Sequence, residues 1–172
     1  MPRPFVVHVA RLRRVPGTRW HEVRAGVVAD VVGSGSRVPD GAELQADVTL
    51  ESVAGGVAVT GVVSAPWTGE CRRCLTAASG VLRVPVRELY TADGDGEDTY
   101  PLVDDEVDLE DLVHDAALLE LPMAPLCRED CAGLCPWCGV NRNDQDCSCE
   151  APRDERWAAL DVLRVPDPGA GN

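Results

Sequence analysis

Glu43-Leu44-Gln45-Ala46-Asp47-Val48-Thr49-Leu50-Glu51 alternates apolar and polar side chains without a break. A period of two puts Leu44, Ala46, Val48 and Leu50 on one face, which is the mark of a strand with one buried side. Working outward, Gly55-Gly56 predicts a turn and residues 57–63, V-A-V-T-G-V-V, predict the hairpin partner. Residues 5–12 and the Val-rich stretch 22–32 read as earlier strands, punctuated by Pro16-Gly17 and by the Gly-Ser-Gly-Ser run at 33–36. Residues 80–90 alternate again through Val81, Arg83, Val84, Val86 and Leu89. Short strands joined by glycine turns predict a mainly antiparallel sheet or partly closed barrel in the N-terminal half.

Residues 92–100 are rich in Asp and Gly and read as a loop. A helix is expected over about 108–121. Asp108 can cap it by accepting from orphan amides, and Asp111 adds negative charge near its positive end. Leu109, Leu112, Val113, Ala116 and Leu119 form an apolar stripe to cover the sheet, and Pro122 stops the helix. A cysteine-dense segment follows. Pro152 can then open a short C-terminal helix, with Trp157, Leu160 and Leu163 at helical spacing. The expected class is α+β. Residues 1–122 would form a β-rich domain with its covering helix, 123–165 a zinc-binding segment with the C-terminal helix packed on it, and 166–172 a disordered tail.

The chain has 172 residues, 45% of them apolar but only 4% aromatic, so its core must be built of Val, Leu and Ala. The apolar run 5–10 is broken by His8 and followed by Arg11, Arg13 and Arg14, unlike a secretory leader. No stretch approaches the ~20 apolar residues of a membrane span. The expectation is a cytoplasmic protein with no membrane partner. All sixteen basic residues are arginine, and the charge is uneven: residues 1–90 carry net +3 and residues 91–150 net −15. An acidic half repels a phosphate backbone, so RNA affinity would have to reside in the N-terminal part, and the acidic stretch suits a solvated face or a basic partner.

Eight cysteines carry the chemistry: Cys71 and Cys74 in C-R-R-C, Cys127 and Cys131 in C-R-E-D-C, Cys135 and Cys138 in C-P-W-C-G, Cys147 and Cys149 in C-S-C. A disulfide framework suits small secreted chains, and nothing here indicates export. A redox C-x-x-C would open a helix in a βαβ unit, and no helical pattern starts after Cys74. Metal remains. Two thiolates separated by two residues point into one site when the backbone between them turns tightly, and zinc takes four in a tetrahedron. Eight thiolates divide into two four-cysteine sites, implying two zinc ions. Cys135, Cys138, Cys147 and Cys149 lie within fifteen residues and can close a loop unaided, leaving Cys71 and Cys74 to pair with Cys127 and Cys131. The alternative pairs Cys71 and Cys74 with Cys135 and Cys138. Iron–sulfur is the rival metal, since clusters also take four thiolates.

Arg72 and Arg73 stand between two ligands on a turn expected to be exposed. Arginine forks there suit phosphate, and with Arg11, Arg13 and Arg14 they would make a small basic patch. They would equally serve to offset thiolate charge. His114 is expected on the helix surface, and His8 and His21 are isolated. Asp104, Asp105, Glu106 and Asp108 could hold a hard cation, though carboxylates leading into a helix more often cap and solubilise. No P-loop, dinucleotide fingerprint or nucleophile elbow is present, and no small-molecule substrate or enzymatic activity is expected.

These segments together, G-E-C-R-R-C-L, then E-V-D-L-E-D-L-V-H-D-A-A-L-L-E-L-P, then P-L-C-R-E-D-C-A-G-L-C-P-W-C-G-V-N-R-N, resemble the YceD family of large ribosomal RNA subunit accumulation proteins in its cysteine-rich form. The resemblance spans roughly residues 5–165 and is most specific over 108–139. Arg142 stands where such chains often have leucine. The resemblance implies a non-catalytic role in making or stabilising large-subunit ribosomal RNA, with pre-ribosomal RNA or a basic large-subunit ribosomal protein as partner. The competing classes are a thiol-redox or iron–sulfur protein and a zinc-ribbon nucleic-acid-binding regulator.

Overall fold

The computed structural model describes residues 3–94, 98–150 and 156. The C-terminal helix and the tail expected from the sequence lie outside the described residues. Two compact units are present, Met1–Cys131 and Ala132–Asn172. The division falls after Cys131, where the sequence reading placed it after Pro122, because Cys127 and Cys131 are bound up with the end of the sheet.

The first unit is an eight-stranded sheet. Its strands are β1 (Val6–His8), β2 (Arg19–Val27), β3 (Ser36–Arg37), β4 (Glu43–Val53), β5 (Gly56–Glu70), β6 (Ala77–Thr91), β7 (Tyr100–Val103) and β8 (Glu106–Asp108), followed by helix α1 (Glu110–Glu120). The order across the sheet is β1-β8-β7-β6-β5-β4-β2, with β3 paired to the far end of β5. All pairings are antiparallel except β6 with β7. The sheet curls as a half-barrel, as expected. Gly26 on the β2 edge meets the residues that lead into β1. A Cβ there would stand 2.6 Å from the Pro4 side chain and 3.1 Å from that of Phe5, so only glycine lets the two edges approach.

The alternation that opened the reading is realised. Leu44, Ala46, Val48 and Leu50 are all buried, and join Val57, Val59, Val63 and Ala65 of β5 and Tyr90 of β6 in one core. Onto it α1 lays Leu112, Val113 and Ala117, with Leu109 just before it. Burying Leu112 and Val113 contributes about 1.5–3 kcal/mol each. Leu119, assigned to the stripe from sequence, is 86% exposed, and Ala117 takes a buried place instead. Leu119 lies at the margin of the arc that faces the sheet. Asp108 does accept from the Glu110 amide at 3.1 Å, but it precedes the helix by two residues and also takes one fork of Arg3 at 2.9 Å.

The hairpin β5–β6 is longer than its sequence pattern suggested. Pro66 interrupts the run, yet β5 continues to Glu70. Pairing with β4 ends at Ser64 and pairing with β3 begins at Thr68, so Pro66 falls where β5 has a neighbour on only one side. Strands β7 and β8 were hidden in the acidic stretch. Asp104 and Asp105 both have positive φ, 50° and 59°, and form the two-residue tip of their hairpin. Asp105 pairs with Arg13, and Glu106 and Asp108 pair with Arg3, so these carboxylates serve the fold. Among the described residues no helix is long and apolar enough to cross a membrane.

Candidate metal centres

Strands β5 and β6 deliver Cys71 and Cys74 on the turn between them. Cys127 and Cys131 arrive on the segment after α1, which lies against the sheet end because two glycines let it. A Cβ on Gly35 would stand 2.3 Å from the Met123 carbonyl oxygen, and one on Gly69 would stand 3.2 Å from the Pro125 ring. The Arg72 amide then donates to the Pro125 carbonyl at 3.0 Å. The four Sγ atoms of Cys71, Cys74, Cys127 and Cys131 lie within 4.8 Å of one another, with Cys71 and Cys131 at 3.7 Å and Cys74 and Cys127 at 3.5 Å. Cys71, Cys74 and Cys131 are buried.

The second unit builds its own group. The Sγ atoms of Cys135, Cys138, Cys147 and Cys149 also lie within 4.8 Å of one another. Asn141 braces the loop between the pairs: its side-chain carbonyl accepts from the Asn143 amide at 3.1 Å and its amide donates to Asp144 at 2.7 Å. Arg142 is exposed and takes part through its backbone, donating to the Gly133 carbonyl at 2.9 Å. The grouping is the first of the two weighed from spacing, and all eight cysteines are free thiols.

The two C-x-x-C turns have the same backbone. The Cys71 amide donates to the Thr76 carbonyl at 2.8 Å, and the Cys135 amide to that of Val140 at 2.8 Å. Leu75 donates back to Cys71 at 2.8 Å, and Gly139 to Cys135 at 2.9 Å. In both, the residue after the second cysteine has positive φ, 61° at Leu75 and 75° at Gly139. Glycine adopts that conformation freely, whereas a side chain there costs about 1–2 kcal/mol.

These turns aim amides at sulfur. Burial would push the Cys71 thiol up, but the amides of Cys127, Arg73 and Cys74 outweigh it and bring it down to about 6. At Cys135 the amides of Cys138 and Trp137 act first, opposed by burial, and again bring it to about 6. Cys127 is pushed up to about 12 by its hydrogen bonds to neighbouring thiols, Cys74 foremost, and by burial. Cys149 is likewise pushed up to about 12, with Cys138 the foremost cause. Four sulfurs this close cannot all carry charge unless a cation lies among them. Each group can therefore hold a metal ion.

The arginines singled out from sequence do not form one patch. Arg73 is committed to structure, its guanidinium donating to the carbonyls of Glu129 at 3.3 Å and Cys131 at 3.0 Å and so clamping the Cys127–Cys131 segment. Arg13 pairs with Asp105, while Arg11 and Arg14 are exposed. The Arg11–Arg14 turn lies near Ser52, whose partner on β5 is Val57, whereas Arg72 follows Glu70 at the strand's other end. Thirteen residues of strand separate these ends, roughly 40 Å at about 3.3 Å each. His114 bonds its neighbour Asp115 at 3.1 Å, and His21 bonds Asp47 at 2.7 Å. Two residues the sequence reading passed over belong to the first site: Thr76, whose hydroxyl lies 3.1 Å from Cys74 Sγ, and Leu75. The missing glycine in C-R-R-C-L, set beside C-P-W-C-G, was the available signal.

Among the described residues, fold and sites define a curled β-sheet with one α-helix packed on its core and two four-cysteine groups. The family model of "Large ribosomal RNA subunit accumulation protein YceD" matches residues 59–164, which takes in every one of the eight cysteines. The chain belongs to the YceD family, whose description gives it a ribosome-related role at family level. It is 38% identical to an uncharacterized protein of Mycobacterium tuberculosis, over 95% of this chain and 83% of that one, and equally to one of Mycobacterium bovis. An uncharacterized protein of Mycobacterium leprae is 39% identical over 74% of this chain and 62% of its own. No solved structure matches.

Proposed function

We propose that this chain is a non-catalytic, cytoplasmic factor in large ribosomal subunit biogenesis that supports accumulation of the large-subunit ribosomal RNA and is held in shape by two zinc ions. The observation that carries the ribosomal part is the family match, which runs through the β5–β6 hairpin, the helix and both cysteine groups. A single four-coordinate ion, such as zinc, rather than a cluster is favoured by the sulfur separations. A tetrahedron with Zn–S bonds of about 2.3 Å has edges of about 3.8 Å, close to the 3.5 and 3.7 Å of the first group. An iron–sulfur cluster sets sulfide bridges between its irons and needs its thiolates farther apart. Zinc in such closed sites is structural, with every position taken by protein.

Function would then rest on binding. The acidic stretch of residues 91–150 suits a basic large-subunit ribosomal protein, and the arginines of the first ninety residues suit pre-ribosomal RNA. Two measurements test this. Elemental analysis of untagged protein is expected to give two zincs per chain; iron or visible colour would replace it with the redox reading. Depletion of the protein in cells is expected to lower the ratio of large to small subunits on a sucrose gradient. An unchanged ratio, with neither ribosomal protein nor pre-ribosomal RNA recovered on affinity purification, would overturn the ribosomal role.

A further inference from the structure

Beside the first C-x-x-C turn lies a groove of about 590 Å³. One wall is the hairpin of residues 32–37, where Gly33 donates to the Ser36 carbonyl at 2.9 Å and Ser34-Gly35 forms a two-residue tip. The other wall is the end of β5 with Glu70, Arg72 and Leu75. Arg37 and Arg72 both line the groove and both are exposed. Neither guanidinium has a hydrogen bond or ion pair among the described residues. Other exposed arginines of the chain, such as Arg11 and Arg14, also make no side-chain ion pair among the described residues, and Arg37 and Arg72 are set apart by lining one groove. Arg73, between Arg72 and Cys74, shows what a structural arginine does here: it is held by two carbonyls.

Leu75 is the second, independent observation. Its backbone sits in the left-handed region at φ 61° while its side chain is 61% exposed. It therefore bears conformational strain without burying its apolar surface in this chain. Strain kept at an exposed residue on a rigid turn is a mark of contact with something else.

We propose that this groove receives a strand of single-stranded RNA. Arg37 and Arg72 would take phosphates, and the amides and hydroxyl of the Ser34-Gly35 tip would donate to phosphate oxygens. Glu70 would accept from N–H donors on a base edge, and Leu75 would pack against the base or its ribose. A cationic protein segment would meet two unpaired arginines at the same place. The inference deepens the ribosomal reading and rests on it, by naming the surface through which the chain would touch RNA.

The test is fluorescence anisotropy of the zinc-loaded full chain with a labelled single-stranded RNA dodecamer of mixed sequence, over a range of salt. Arg37→Gln and Arg72→Gln are each expected to weaken binding and to lower the salt slope by about 0.7, the value for one phosphate of a single strand. Leu75→Gly is expected to weaken binding while raising the thermal midpoint, a combination that a purely structural residue would not give. Arg142→Gln, whose side chain is exposed in the second unit, is expected to leave binding unchanged. Two zincs per chain in every variant would show that the fold is kept. No binding by the parent chain, or salt slopes unaltered by Arg37→Gln and Arg72→Gln, overturns the proposal. So does inorganic polyphosphate displacing the RNA with equal affinity per charge, which would make the groove a general phosphate site. Co-sedimentation with pre-ribosomal particles is followed separately. Particles that retain the chain when the groove variants change nothing leave the ribosomal role standing and remove the groove, whereas a parent chain absent from those particles removes the role.

Discussion

The hydroxyl of Ser36 donates to the carbonyl oxygen of Pro122 across 2.8 Å. Ser36 is 5% exposed, and its bond joins the short strand β3 to the residue that ends α1. Four residues separate Pro122 from Cys127, so this tie helps set where the second half of the first metal centre arrives. Ser36→Ala leaves the carbonyl without that donor. The expected loss is about 1 kcal/mol of stability, seen as a lower thermal midpoint. In a chelator competition, zinc should leave the first centre faster and the second at an unchanged rate. Equal rates would mean that the tie is irrelevant to the centre.

The matched turns predict opposite responses to matched changes. Leu75→Gly removes a left-handed leucine and should stabilise the chain by about 1 kcal/mol. Gly139→Ala should destabilise by about 1 kcal/mol, and for conformation alone, since a Cβ at Gly139 meets nothing within 4 Å. Chemical denaturation of both variants checks this. A destabilised Leu75→Gly would show that the side chain packs within the chain after all.

Each cysteine group should hold its metal independently. Cys71→Ser is expected to reduce two zincs to one and to loosen the turn of the β5–β6 hairpin, leaving Cys135, Cys138, Cys147 and Cys149 loaded. Cys135→Ser should do the reverse. Zinc binding in small modules is worth on the order of 10 kcal/mol of folding free energy, so the unloaded segment should become protease-sensitive. Because the groups lie in separate units, effects of the paired substitutions should add to within about 0.5 kcal/mol. Zinc counting with limited proteolysis reads both, and loss of both zincs from one substitution would refute independence.

Acid should strip the metal. Without a cation, Cys127 and Cys149, pushed up to about 12, are neutral thiols at neutral pH, whereas Cys71 and Cys135, brought to about 6, are mostly thiolates. Each centre must therefore release at least one proton on loading at pH 7. The sign follows: affinity falls as pH falls, by at least about tenfold per pH unit for one proton. Below about 6 the loss steepens, because Cys71 and Cys135 then bind protons as well. Calorimetric zinc titrations in buffers of different ionisation enthalpy count the released protons; none released at pH 7 would contradict this picture.

The sheet and the partition of the cysteines were legible because each rests on local pattern. Leu44 to Leu50 alternate over a fully one-sided strand, and Cys135 to Cys149 are close enough in sequence to find each other. What was hidden depended on distant partners. Pro66 reads as a strand breaker until the gap between β4 and β3 is seen. Asp104 and Asp105 read as solvated charge, although their left-handed backbones turn a hairpin and Asp105 meets Arg13 from far upstream. The supposed arginine patch failed for the same reason, since nothing in the sequence tells that Arg14 and Arg72 stand at opposite ends of one strand. Arg73 could not be distinguished from Arg72 by type or neighbourhood; only the carbonyls of Glu129 and Cys131 separate them.

The span of the first cysteine group has a bearing on the order in which the molecule is made. Cys74 leaves the ribosome 53 residues before Cys127, whereas the second group is synthesised as one short run. A nascent chain thus holds its long hairpin with two thiolates on the turn through the synthesis of β7, β8 and α1. Contacts of such sequence separation form late. Capture of a metal ion by the first group would then be the last event of the N-terminal unit, and would report that the helix has already settled on the sheet.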